Sequence, residues 1–270
     1  MPNYIKNKIE LIGEQSDIDS LIQEFSTFYP SVPHRSFDGN ITYKKGDTYG
    51  WLNESTGEFT MRGEEPCFLI PDGFVQHFEE EWTRFPDFNK IITMPESLGI
   101  ESGSLTMALE NQYSNPSVKE WLKEVTESIN RHDAKEERIK TVLTAVENCI
   151  RYGHATWYSW SIENWGTKWN SSECETLGNN TFTFSTAWSG VPELMQIISE
   201  KHPNVTIKYS FADEDSGCNV GVGVYSKDIN SFGMLKNSSK EAFDIYFDLH
   251  PDRRENYKLS DGTYTYIDED

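Results

Sequence analysis

The sequence predicts an α+β fold in which a mostly antiparallel sheet carries its helices on one face, with an insertion that contains a β-hairpin. Strand-like segments in the second half of the chain come in adjacent pairs, as hairpins require. Segments with apolar residues three and four positions apart stand between these pairs and indicate helices. Aromatic residues make up 13% of the 270 residues, so the chain has enough large rings to bury a core.

The chain opens with a strand followed by a helix. Residues 8–13 form a short apolar run that ends at Gly13, which is typical of a strand and its turn. Ser16 or Asp17 can cap a helix whose apolar residues then continue to Phe25 at helical spacing.

The next segment, at about 30–86, consists of short alternating runs separated by turn residues, and we interpret it as an insertion into the main domain. Residues 49–61 alternate around a turn near 54–57, which predicts a β-hairpin. Three rings at four-residue spacing, Phe74, Phe78 and Trp82, predict a short helix before Pro86.

A strand is expected over 88–94, ended by Pro95. Residues 96–115 are polar and irregular, and two helical stripes follow, over 116–129 and 136–150. Gly153 is placed to end the second helix.

The remaining segments alternate between strands and helices. Strands are expected over 156–162, 181–187, 205–211 and 220–225, with a helix beginning at Pro192. Residues 229–270 are expected to form a C-terminal extension that packs on the domain. Ser239 caps its helix, an edge strand is expected over 262–267, and the end is acidic.

The charge of the chain limits its partners. Its 44 acidic and 24 basic residues give a formal net charge of −20. Such a surface repels phosphate backbones and anionic lipids, so nucleic acid is disfavoured as a partner. It fits a cytoplasmic protein, and it would also fit a protein that imitates nucleic acid towards a basic partner. An acidic surface with no such role is the simpler interpretation.

No motif predicts catalysis, a metal site or a cofactor. The four cysteines show neither paired nor zinc-ligand spacing, and no export signal precedes them, so reduced thiols in a cytoplasm are expected. No run approaches the roughly 20 apolar residues of a membrane span. Ser189 is followed by Gly190 but has no Gly-x-Ser-x-Gly elbow around it.

Four blocks occur in an order that resembles a known family: Met-Pro-Asn-Tyr at 1–4, Phe-Asn-Lys-Ile-Ile-Thr-Met-Pro-Glu at 88–96, Glu-Asn-Trp-Gly-Thr-Lys-Trp-Asn at 163–170 and Phe-Ser-Thr-Ala-Trp-Ser-Gly at 184–190. Together they resemble the YubB-type ferredoxin-like family of bacterial plasmid and phage proteins. The resemblance implies a ferredoxin-like sheet and an origin in a bacterium or on a mobile element. It extends over about residues 1–228 and skips about 30–86 and 100–153, so it implies one ferredoxin-like domain over 1–228 with insertions at these two places. It implies no activity.

The densest group of polar and aromatic residues is the candidate site, and it consists of Glu163, Asn164, Trp165, Thr167, Lys168, Trp169, Trp188 and Ser189. In one interpretation the rings pack in the core and the stem of Lys168 covers them. In the other, polar side chains of this group line a groove with an aromatic floor. Ser189 either caps the helix that begins near Pro192 or stands where backbone amides could hold an anion.

Three functional hypotheses remain. The first is a non-enzymatic accessory protein that binds another protein, as an inhibitor or nucleic-acid mimic towards a basic host protein. The second is a small-ligand-binding protein or enzyme, with a pocket around Glu163, Asn164, Lys168 and Trp188. The third is a binder of single-stranded nucleic acid through exposed rings, which the negative charge opposes. The partner and the oligomeric state stay open.

Overall fold

The computed structural model describes residues 3–33, 42–45, 48–53, 58–61, 67–68, 75–76, 78–113, 123, 127, 136–178 and 180–267. The chain divides into two compact units. Unit 1 comprises Met1–Ser26 and Phe85–Asp270, and unit 2 comprises Thr27–Arg84.

The described part of the chain contains strands in both units. In chain order they are β1 (Tyr4–Ile12), β2 (Thr27–Tyr29), β3 (Val32–Pro33), β4 (Thr42–Lys45), β5 (Thr48–Asn53), β6 (Glu58–Met61), β7 (Cys67–Phe68), β8 (Val75–Gln76), β9 (Phe78–Glu79), β10 (Trp82–Arg84), β11 (Ser172–Gly178), β12 (Thr181–Ala187), β13 (Thr206–Asp213), β14 (Gly221–Tyr225), β15 (Asn230–Met234), β16 (Tyr257–Ser260) and β17 (Thr263–Tyr266).

The helices of the described residues all belong to unit 1. They are α1 (Gln15–Phe25), α2 (Phe88–Ile91), α3 (Ser104–Tyr113), α4 (Glu136–Tyr152), α5 (Trp157–Trp165), α6 (Pro192–Lys201) and α7 (Lys240–Leu249). Two 3₁₀ helices cover Glu96–Leu98 and Pro251–Asn256.

Unit 1 is built on a six-stranded sheet with the order β11-β12-β1-β13-β14-β15. Every neighbouring pair in it is antiparallel. The predicted α+β fold with a mostly antiparallel sheet is therefore confirmed. Unit 2 contains a five-stranded sheet with the order β7-β6-β5-β4-β8, in which β5 and β6 pair as the predicted hairpin.

Alternation along β1 decides which face of the sheet is the core. Ile5, Ile9 and Leu11 are buried, and they pack with residues of α1, α2, α5 and α6. Lys6 and Lys8 point to the opposite face. There α7 packs over Ala212, the cross-strand partner of Lys6, and Lys8 Nζ lies 2.7 Å from a carboxylate oxygen of Asp248.

The strand expected over 156–162 is wrong, because these residues belong to helix α5. The hydroxyl of Thr156 caps the helix by accepting a hydrogen bond from the Tyr158 N–H. Gly166 ends it in the left-handed region, at φ 75°. The alternating pattern was too short to distinguish the two-residue period of a strand from the 3.6-residue period of a helix. The helix is favoured because it has a cap at each end and buries Trp160 and Trp165.

Two smaller predictions are also wrong. Residues 88–91 form helix α2 and not a strand, because the Asp87 side chain accepts from the Asn89 N–H and starts a helical turn. The helix expected from the spacing of Phe74, Phe78 and Trp82 is replaced by β9 and β10. Phe74 lies outside the described residues. Trp82 stacks on Tyr29 across the β2–β10 pair, with ring centroids 4.3 Å apart.

The predicted strand over 181–187, the helix beginning at Pro192 and the Ser239 cap are confirmed. The helical stripe expected over 116–129 lies outside the described residues except for Lys123 and Glu127, which are both helical. Residues 268–270 also lie outside them. The predicted insertions and the boundary at residue 228 stay predictions.

Candidate functional site

The two most distinctive sequence blocks meet in the structure. The hydroxyl of Thr167 donates to the Ala187 carbonyl at 2.9 Å and accepts from the Ala187 N–H at 3.1 Å. The hydroxyl of Ser189 donates to the carbonyl of Gly166. These bonds join the end of α5 to the loop between β12 and α6. Since Thr167 is buried, its role is to hold the two segments together.

A buried polar network fixes the same loop from below. The Asn7 side chain donates to Thr186 Oγ1 at 2.9 Å and accepts from the hydroxyl of Tyr209 at 2.6 Å. That hydroxyl in turn accepts from the Val191 N–H at 2.7 Å. Burial raises the pKa of Tyr209 well above its ordinary value, so the phenol stays protonated and donates. The first residues of α6 are therefore held rigidly against the sheet.

Next to this loop, Phe211 forms the floor of a groove. A Cβ atom at Gly190 or at Gly221 would lie 2.3 Å or 2.4 Å from the Phe211 ring, so glycine at both positions lets the ring lie flat. Phe232 of β15 stacks beside it, with ring centroids 6.1 Å apart and an interplanar angle of 18°. Met234 follows on the same face of β15.

The end of α5 forms one wall of the groove, and the start of α6 forms the other. The groove has a volume of about 450 Å³ and is lined by Ile162, Glu163, Asn164, Gly166, Ser189, Gly190, Pro192, Glu193, Phe211, Asn219, Phe232 and Met234. This set contains two carboxylates and neither lysine nor arginine. An apolar floor under two carboxylates favours a ligand with both a cationic and an apolar part.

The two carboxylates are held differently. Glu163 is 72% exposed, and its Oε2 lies 2.9 Å from Nε2 of His154. The other ring nitrogen of His154 lies 3.3 Å from an oxygen of Glu110, which anchors the ring to α3. Glu193 is exposed at the first turn of α6. Its negative charge adds to burial in raising the pKa of Tyr225 to about 12.

The structure brings three of the eight predicted site residues into the groove, namely Glu163, Asn164 and Ser189. Ser189 does not cap α6, because the N-cap is Val191 and makes no side-chain capping bond. The prediction that Ser189 caps this helix is therefore wrong, and its hydroxyl joins the two walls instead.

The other five predicted site residues do not line the groove. Trp165 and Thr167 are buried, and the Trp165 indole donates to the Ile92 carbonyl at 2.9 Å. Lys168 lies with its Nζ 4.3 Å from the centre of the Trp169 ring, as a cation over an indole face. Trp188 is 56% exposed, and its carbonyl accepts from the Asn219 side chain at 3.3 Å. The pocket predicted around Glu163, Asn164, Lys168 and Trp188 is thus formed without the lysine and the tryptophan.

Sequence reasoning missed the residues that form the floor and the second wall. These are Glu193, Phe211, Asn219, Phe232 and Met234. One signal was present in the sequence: alternate glycines in β14, at Gly221 and Gly223, mark a place where another group approaches the backbone. Nothing in the sequence showed which ring lies there.

A larger depression, of about 590 Å³, lies between the first turn of α3 and the first turn of α4. Its charged lining residues are Glu101, Glu137 and Arg138. We place the candidate site at the groove, because the groove adjoins the edge of a sheet, whereas this depression lies between two helices.

The face of the sheet opposite the main helix layer does not fit base stacking. On β1, β12, β13 and β14 it carries lysine, serine, threonine, alanine, valine, isoleucine and glutamate, with Tyr4 as the single ring on this face of these strands. The rings of Phe184, Tyr209 and Phe211 lie on the other face, in the core. On these four strands the rings that could serve as a platform for bases, as in an RNA-recognition sheet, are thus on the buried side.

Two titratable residues near Glu163 and Glu110, His154 and Cys149, are not placed for nucleophilic catalysis. Both ring nitrogens of His154 contact carboxylates, so neither is free to activate a nucleophile. The nearby thiol of Cys149 is fully buried, and burial, with the charge of Glu110, raises its pKa to about 12. Such a thiol is unreactive at neutral pH. Within the described residues, no group of three or more potential metal ligands is present.

Residues 164–249 match the family model for the ferredoxin-like domain in Api92-like proteins. The match begins in α5, ends with α7 and therefore contains most of the groove. A crystal structure of the protein api92 from Yersinia pseudotuberculosis aligns with 87% of this chain and 99% of that chain, at 10% identity and a TM-score of 0.33. No curated protein matches the chain. Among the described helices, none has the length and hydropathy to cross a bilayer.

Proposed function

We propose that this chain is a non-enzymatic accessory protein that acts by binding a basic partner protein through the groove. The observation that carries the proposal is the lining of the groove, where Glu163 and Glu193 stand over an apolar floor with no lysine or arginine among them. The net charge of −20 supports it, because a basic partner would be steered towards such a surface.

The proposal includes a biological setting. The resemblance to the YubB-type family favours a protein of bacterial, plasmid or phage origin that works in the cytoplasm. In that setting the partner is a basic host protein, and the chain acts as its inhibitor by occupying a surface that otherwise meets nucleic acid. A third carboxylate lies next to the lining of the groove but is buried: Asp213 Oδ2 accepts a hydrogen bond from the Asn219 side-chain amide at 3.2 Å.

A capture experiment with charge-matched variants tests the proposal. The immobilised protein is exposed to a bacterial lysate, and the retained proteins are eluted with increasing salt. The test variant is Glu163→Gln/Glu193→Gln. The control, Glu175→Gln/Glu200→Gln, removes the same two charges from exposed positions outside the groove. We expect a basic protein to be retained by wild type and control, to be released by salt and to be lost with the test variant.

Equal capture by the test variant and the control would overturn the groove as the binding site. A captured protein without basic character would overturn the electrostatic part of the proposal. Thermal unfolding of all three proteins checks that the substitutions leave the fold intact, as expected for exposed side chains.

A small-molecule ligand is the second candidate, and the size of the groove favours it. A volume of about 450 Å³ falls in the range of ligand pockets, which run from roughly 300 to 1,000 Å³. A thermal-shift screen tests this, since a ligand at 100 times its dissociation constant adds about 2.7 kcal/mol of stability. A hit whose shift survives Glu163→Gln/Glu193→Gln and Phe232→Ala would place the ligand elsewhere.

A further inference from the structure

The backbone of β15 presents an unused row of hydrogen-bonding groups beside the groove. Ser226 and Ile229 exchange both of their backbone hydrogen bonds across the turn between β14 and β15, and the Leu235 N–H donates to the Val220 carbonyl. Because bonded and non-bonded pairs alternate in an antiparallel ladder, the N–H and C=O groups of Asn230, Phe232 and Met234 point away from β14.

These outward groups have no hydrogen-bond partner in the part of the chain that the structure describes, where β15 is the last strand of its sheet. The strand runs without a register shift through its five pairs with β14. It therefore offers a straight template of three donors and three acceptors. A strand with this geometry can accept a further strand from another chain.

Two of these three residues also belong to the groove, so the free edge and the groove are adjacent. Phe232 and Met234 have outward backbone groups, and their side chains line the groove floor. A strand added to β15 would therefore place its alternate side chains over Phe232 and towards the two acidic walls.

The charges select the added strand. A cation held between Glu163 and Glu193 would gain charge-assisted hydrogen bonds, and Phe232, which lines the same groove, provides a ring for a cation–π contact. His154 contacts only Oε2 of Glu163, so among the described residues Oε1 remains available. A second copy of this chain is a poor occupant, because pairing β15 with itself would bring together two acidic grooves in chains of charge −20.

We propose that an extended, basic segment of the partner protein adds to the free edge of β15 as a seventh strand and places an arginine or lysine side chain between Glu163 and Glu193. This inference rests on the proposed function and specifies the mode of binding and the chemistry of the segment. The backbone bonds would supply affinity, and the acidic groove would supply selectivity for basic residues at alternate positions.

The test uses three synthetic peptides and fluorescence anisotropy at low salt. The first is a labelled heptapeptide of alternating arginine and valine with blocked termini. The second has glutamine in place of arginine. The third keeps the arginines but carries N-methyl groups on the alternate amides that would face β15. We expect the first peptide to bind and each of the others to bind at least about tenfold more weakly, because one loses the charges and the other loses two or more hydrogen bonds.

Two variants test the same bonds from the protein side. Asn230→Pro removes one outward N–H and leaves the ladder to β14 complete, so it should weaken the first peptide by about tenfold. Gly233→Ala is the matched control in the same strand, since its added methyl group would meet no atom within 4 Å and points away from the groove. We expect it to bind like wild type. If Asn230→Pro unfolds at lower temperature, the N-methylated peptide on wild-type protein decides the question.

Three outcomes overturn the inference. Equal binding of the N-methylated peptide and the first peptide would exclude strand addition. If binding of the first peptide still fell with Glu163→Gln/Glu193→Gln, the proposed function would stand although strand addition was excluded. No binding of the arginine–valine peptide would exclude this chemistry, while the lysate capture decides the proposed function separately. A wild-type dimer in sedimentation that Asn230→Pro converts to a monomer would show that a second copy covers β15.

Discussion

The two edges of the six-stranded sheet differ in how they are protected. β11 shifts register against β12 twice, between Ser172 and Glu175 and between Thr176 and Gly178. Glu173 lies there in the left-handed region at φ 49°, and its carboxylate accepts a hydrogen bond from Ser185. β15, at the other edge, keeps its register against β14 throughout and has no charged residue.

Irregularities and charges at an edge strand prevent unwanted pairing with other chains. β11 has both devices and β15 has neither, although the two strands end the same sheet. Two exposed edge strands of one sheet can therefore differ in whether they are able to pair with a strand of another chain. At β11 two register shifts interrupt the strand, whereas at β15 a regular edge lies beside a groove that contains rings and carboxylates.

The largest expected effect on stability comes from removing Phe211, the ring that packs beside Phe232 of β15. Phe211→Ala removes a ring that is 3% exposed, and the glycines at 190 and 221 leave nothing to fill the space. We expect the free energy of unfolding to fall by about 3–5 kcal/mol in chemical denaturation, as for other buried phenylalanines.

Leu177→Ala is the comparison at the other edge. Leu177 of β11 is 58% exposed, so its truncation should change stability by less than about 0.5 kcal/mol. The contrast between the edges would break down if the two variants lost similar stability, because β11 would then rest on packing of its own.

A smaller effect is expected from two tyrosines on the strands that support β15. Tyr209→Phe removes the donor to Oδ1 of Asn7 and the acceptor of the Val191 N–H, and it should cost about 1–3 kcal/mol. Tyr225→Phe should cost nothing at neutral pH, because the buried hydroxyl of Tyr225 has no hydrogen-bond partner in the described structure. Thermal unfolding of both variants measures the difference. A loss in Tyr225→Phe as large as that in Tyr209→Phe would show that this hydroxyl is bonded in solution.

The hydroxyl of Tyr225 should reveal itself at alkaline pH. Burial, with the charge of Glu193, raises its pKa to about 12, whereas an unfolded chain titrates near 10. The folded protein therefore holds this proton more tightly, so the associated stability is complete below pH 10 and is lost between pH 10 and 12. Between neutral pH and pH 11 the free energy of unfolding should fall by roughly 1 kcal/mol more in wild type than in Tyr225→Phe. Parallel pH profiles for the two proteins would contradict the raised pKa.

The regular parts of the sheet could be predicted from the sequence, because their signals are local. Thr181–Ala187 alternates without interruption, and the helix over Pro192–Lys201 begins with proline in its first turn. Over 156–162 the same reasoning failed, since this run of six aromatic or polar residues and one isoleucine fits both periods. The Thr156 cap and burial in the core favour the helix.

The candidate site could be predicted only in part, for the same reason. Glu163, Asn164 and Ser189 belong to conspicuous aromatic blocks, and the sequence drew attention to them. The floor depends on Phe211 and Phe232, which are separated by 21 positions and meet only through the order β13-β14-β15. No local pattern marks Asn230–Met234 as an edge strand, because edge position is a property of the whole sheet.

The smallest effect on stability gives the sharpest comparison of the two edges. Met234 on β15 and Leu177 on β11 are similarly exposed, at 53% and 58%, so truncating either to alanine should alter the free energy of unfolding by less than about 0.5 kcal/mol. Their effects on binding should differ. Met234→Ala removes part of the groove floor and should weaken the arginine–valine peptide roughly fivefold, the equivalent of about 1 kcal/mol of apolar contact. Leu177→Ala should leave the affinity unchanged, since β11 offers no straight edge for a strand to join. If both variants weakened the peptide equally, the peptide would be binding to exposed apolar surface without regard to edge geometry, and the distinction between a protected and a receptive edge would have no functional content.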